Sequence, residues 1–145
     1  MPKEPLASAF SSDEQVRHVA LRISGMSEAI HHTLRQLAQT LPQHDSSAAY
    51  MLLTEEYALR ARINILQIEA RRFVRTDFPI AQDEVVRILD EVDRTLAAVR
   101  HPDELTELIV SLVMFATSIA CRNNSITILL LRNLEQLATV GVPNK

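Results

Sequence analysis

The chain has 145 residues, of which 47% are hydrophobic, with a formal charge of −3 and a single cysteine. These values suit one globular domain with a real core. They exclude a disordered chain and an intramolecular disulfide, and the charge gives no reason to expect a nucleic-acid or anionic-membrane partner.

Two glycines and six prolines punctuate the sequence, and nearly all stand where a helix would have to stop. Proline cannot continue a helix interior and glycine weakens one, so the long stretches between Pro42, Pro79 and Pro102 read as helices. The first ten residues, MPKEPLASAF, include Pro2 and Pro5 and read as a flexible tail. They lack the apolar core of a signal peptide, which points to the cytoplasm. Residues 11–140 form the expected domain, and residues 141–145, with Gly141 and Pro143, a second tail.

Ser11 and Ser12 each stand three residues before Glu14 and Gln15, the spacing of a capping box. From there Val16, Val19, Ile23, Met26, Ile30, Leu34, Leu37 and Leu41 recur at steps of three and four up to Pro42. That is one apolar stripe on a helix about 45 Å long. Asp45, Ser46 or Ser47 can cap a second helix reaching about Arg75. Its inward stripe is Ala49, Leu52, Glu56, Leu59, Ile63, Leu66, Ala70 and Phe73, in which Glu56 is a carboxylate on the core face. A second apolar face, Ala58, Ala61, Ile65 and Ile68, lies roughly opposite, so this helix is wanted on both sides. Arg71, Arg72 and Arg75 crowd its end, where they favour the helix dipole, with Glu69 and Arg72 paired.

A third helix over 81–100 presents Val85, Ile88, Leu89, Val92, Leu96 and Val99 on one face. Asp83 with Arg87 and Asp90 with Arg94 are its expected i,i+4 pairs. Pro102 suits the first position of a fourth helix, whose run LIVSLVMFATSIAC at 108–121 is apolar nearly all round. This marks the central helix, with the third at the periphery. At fourteen residues the run is too short to span a bilayer. The segment RNNS at 122–125 interrupts the pattern before Ile126, Leu130, Leu134 and Leu137 resume it. The reading is an all-α, antiparallel up-down bundle of four long helices, the last broken near Asn123 to give a fifth.

Chemistry is sparse. Cys121 sits in the apolar run as a small buried hydrophobe, with no histidine base in view. Glu28 and His31 have the i,i+3 spacing of half a di-metal site, but the chain holds no second such motif and both lie off the stripe. Glu56 needs a partner if taken out of water. Arg60 stands at i+4, and Arg122 and Asn123 are candidates to complete a buried polar layer across the core. No catalytic residue, cofactor or metal is assigned.

His32, Thr33, Leu34 and Arg35 carry one resemblance. An exposed helical His followed three residues later by a cation resembles the phosphoacceptor segment of histidine-containing phosphotransfer domains, which are four-helix bundles. The segment is also similar to the histidine box of sensor-kinase dimerisation hairpins, and LQIEA at 66–70 to the end of that hairpin's second helix. Gln36 and Leu37 stand where phosphotransfer domains carry a small Gly-Ser pair, Thr33 stands where the box has an acid, and the box proline is absent. The resemblance implies a phosphoacceptor at His32 assisted by Arg35. The residue pattern itself points to a non-enzymatic protein-interaction module, a homodimer through the second face of helix two. A small-ligand-binding bundle built on the Glu56 layer is a further alternative.

Overall fold

The computed structural model describes residues 7–40, 46–99 and 101–140. Pro42, the Asp45 cap, residues 1–6 and the tail 141–145 lie outside the described residues. Five helices carry the fold: α1 (Asp13–Thr40), α2 (Ser46–Ile68), α3 (Gln82–Ala97), α4 (Pro102–Cys121) and α5 (Asn124–Val140). The class is all-α. Each helix packs chiefly on two others, in the circular order α1, α2, α4, α5, α3 and back to α1. α4 also meets α1 and α3, so it packs against all four other helices, in keeping with its expected central placing.

α1 starts as its sequence asks. The Gln15 N–H donates to Ser12 Oγ at 3.2 Å, and Gln15 Oε1 accepts from the Ser11 N–H at 2.6 Å. Together they satisfy donors that the first turn leaves unpaired. Val16, Val19, Ile23, Met26, Ile30 and Leu34 are all buried, as their spacing requires.

α2 ends at Ile68, earlier than expected. Glu69 leaves the helical conformation, a 3-10 turn follows at Ala70–Phe73, and Val74 is extended. Ala70 and Phe73 are thereby turned into the core and the chain can carry Arg75 inward.

Residues 7–10 are not a loose tail. Ser8 forms an antiparallel bridge with Ala81, the Ala9 N–H donates to Ile80 O at 2.9 Å, and the Gln82 N–H donates to Ala7 O at 2.9 Å. Ala9 and Phe10 are fully buried. The Phe10 ring meets Phe78 edge-to-face with centroids 5.0 Å apart. Gln82, at the start of α3, locks the junction: its Oε1 accepts from the Phe10 N–H and its Nε2 donates to Gln15 O at 3.1 Å. Scarce aromatics proved decisive, for all four phenylalanines are in the core, among Leu, Ile and Val.

The break between α4 and α5 is real and local. Arg122 adopts a left-handed conformation with φ 58, and its N–H bonds back to Ser118 O and Ile119 O. Asn123 then caps α5, its Oδ1 accepting from the Ile126 N–H at 3.1 Å. The left-handed turn lets α5 pack on both α4 and α3.

An L-residue at φ near +60° bears a steric cost that glycine escapes, offset partly by glycine's greater entropy loss. Arg122→Gly is therefore expected to stabilise the fold by about 0.5–1 kcal/mol. Urea denaturation checks this: the midpoint should rise at unchanged m-value.

Candidate interaction surface

α2 has two faces of opposite fate. Leu52, Glu56, Leu59, Ile63 and Leu66 are buried, while most residues between them face water and Glu55, Ala58 and Arg62 are half-buried. Of the four residues expected on the outer face, Ala58 is half-buried and Ala61, Ile65 and Ile68 are exposed. The structure extends that face toward the start of the helix. Tyr50 is 71% exposed, Met51 64%, Tyr57 78% and Ile68 83%. A large side chain left so open forgoes about 1.5–3 kcal/mol of burial, and several together give this helix an exposed apolar face. Tyr50 and Tyr57 precede the outer face expected from Ala58 to Ile68. Their seven-residue spacing in the sequence was the available signal.

The polar layer forms differently from the expected one. Glu56 is buried, and it meets neither Arg122 nor Asn123, both of which are exposed at the α4–α5 turn. Its carboxylate accepts from Arg60 at 2.9 Å and lies 3.0 Å from His31 Nδ1 on α1. The carboxylate thus escapes the cost of isolation through partners on two helices whose tips remain in water. His31 accordingly pairs across to α2 and not with Glu28.

Arg75 takes the role expected of that layer, and the sequence pattern did not reveal it. It is buried where four segments meet. Its guanidinium donates to Ile119 O and to Asn124 Oδ1, stacks on Phe10 at 5.2 Å and lies 5.9 Å from the Phe78 centroid. Asn124 Nδ2 in turn donates to Asp77 Oδ1 at 3.2 Å. Burial lowers the Arg75 pKa from the usual arginine range, the Arg122 charge acts in the same direction, and Asp77 opposes both.

His32 and Arg35 are both exposed on α1. His32 Nε2 lies 3.4 Å from the Gln36 amide nitrogen. Cys121 is exposed, not buried, because the last turn of α4 directs it away from the ring. The α3 ion pairs also differ from the expected ones. Arg87 bonds Glu84, Glu91 and Glu135, while Asp90 pairs with Arg22 of α1. Glu69 and Arg72 do pair, at 3.0 Å. Among the described residues no group of three or more His, Cys, Asp or Glu side chains gathers as a metal site. The stretch Asp103–Cys121 of α4, 19 residues of mean hydropathy 1.6, is long and apolar enough by length and composition to cross a membrane, a property that buried core helices share. Half of it is buried within the bundle.

Compared with protein-family models, curated proteins and solved structures, the chain matches none.

Two outcomes follow from the polar contacts. Arg75→Met preserves much of the side chain's bulk but removes the charged hydrogen bonds to Ile119 O and Asn124 Oδ1, and should destabilise the fold by about 2–3 kcal/mol in urea denaturation. Glu135 has its pKa lowered by hydrogen bonds from Arg87 and Arg132. A depressed carboxylate stabilises above its unfolded pKa, and that stabilisation disappears as pH falls through the folded value. Glu135→Gln should thus lower stability at neutral pH, with the deficit starting to shrink near the usual glutamate pKa of about 4.3, vanishing below the lowered folded value, and diminishing in high salt, as thermal melts across pH will check.

Proposed function

We propose that the protein is a non-catalytic helical interaction module that self-associates through the outward face of α2. The observation that carries this reading is the exposed row of Tyr50, Tyr57, Ile65 and Ile68 on a helix whose opposite face already forms the core. A bundle needs one apolar face per helix, and α2 supplies two. The surplus face is aromatic at one end and aliphatic at the other, the composition enriched where proteins meet proteins.

Light scattering of the purified chain tests the reading and should return twice the monomer mass. Tyr57→Lys and Ile68→Lys alter side chains that the fold leaves in water, so the bundle persists. Each should weaken association by roughly tenfold or more, as the loss of about 1.5–3 kcal/mol of burial implies. A protein that stays monomeric at high concentration, with its helical content intact, overturns the proposal.

A further inference from the structure

The self-association reading leaves open how two copies would meet, and the outward residues of α2 constrain this further. Thr54, Ala61 and Ile68 form one series with a step of seven; Tyr50, Tyr57 and Asn64 form another. The two series interleave at steps of three and four, and all six residues are exposed. This is the arrangement of a seam between two helices. The series are also mirror images in sequence about Leu59. Reversing the chain direction about that residue sends Tyr50 to Ile68, Thr54 to Asn64 and Tyr57 to Ala61.

We infer that two copies of the chain pair through α2 in antiparallel orientation, about a two-fold axis passing beside Leu59. This rests on the proposed self-association and specifies its geometry. In an isologous contact every pairing occurs twice, so the surface must complement itself. Antiparallel pairing sets Tyr57 on the partner's Ala61, a large side chain over a small one. It sets Tyr50 on the partner's Ile68, apolar on apolar. It sets Thr54 on the partner's Asn64, a hydroxyl and an amide able to hydrogen-bond each other. Leu53 and Ile65, which flank the seam, meet by the same symmetry.

Parallel pairing would oppose each residue to itself. Tyr57 would crowd its copy and Ala61 would leave a gap, both unfavourable in a packed seam. The occupant of this surface is therefore a second copy, because the surface complements itself in one orientation. The area is adequate as well. At exposures of 71% for Tyr50, 64% for Met51, 39% for Leu53, 78% for Tyr57, 37% for Ile65 and 83% for Ile68, these side chains offer on the order of 600 Å² per copy. A standard interface takes about 800 Å² per partner, which the polar seam residues and flanks can complete.

Disulfide trapping in a Cys121→Ser background tests the geometry. Chains carrying Thr54→Cys are mixed with chains carrying Asn64→Cys and oxidised gently. The expected result is a covalent dimer from the mixture and only a trace from either variant alone, since position 54 lies within bonding reach of the partner's 64 and far from its own copy. Efficient self-crosslinking of each single variant would mean parallel pairing and overturn the inference. A dimer by light scattering that yields no crosslink in any mixture would also overturn it, while leaving self-association standing on another surface. A monomer in light scattering would remove both.

Discussion

A guanidinium does not leave water without partners, and Arg75 is buried where the N-terminal segment, the exit of α2, the end of α4 and the start of α5 converge. Its backbone N–H holds Phe10 O at 2.7 Å while its side chain reaches Ile119 and Asn124. Each of these contacts lies on a different stretch of chain. The early end of α2, the 3-10 turn after it and the left-handed Arg122 can all be understood as the conformations that let one charged side chain reach acceptors on α4 and α5. A hydrophobic side chain there would fill space without specifying which ends meet, a role buried ionic groups fulfil in some proteins.

α2 stands in contrast to that junction. Its inward face is tied to α1 and α4, through Glu56 with His31 and through Arg62 with Thr117 at 3.1 Å. Among the described residues the outer face has no such obligations. The helix is held firmly from behind, so a surface presented on it needs little ordering on contact. Preorganisation of this kind lowers the entropic cost of association.

Much of the fold was legible in the sequence. The stripes of α1 and α3 and the inward stripe of α2 are local patterns, and local patterns determine which face of a helix is buried. The interruption near Asn123 was legible because a polar run crossed an apolar phase. What could not be read were contacts between residues far apart in the chain. Phe10 was assigned to a tail because four residues contain no period, yet it is secured by Gln82 and Arg75, more than sixty positions away. Arg75 resembled the other arginines at the end of α2, and only its tertiary neighbours distinguish it. Cys121 belongs to an apolar run but falls on its wet side, a distinction of one helical turn. For the candidate surface, position was readable and extent was not: Ile65 and Ile68 were recognised and the tyrosines were not.

The placement of those tyrosines has an optical consequence. The chain has two Tyr and no Trp, and both Tyr lie exposed on the outer face of α2. Its ultraviolet emission therefore arises from that one surface and not from the core. Quenching and anisotropy of this light report on what covers α2, and they stay nearly blind to rearrangements within the bundle.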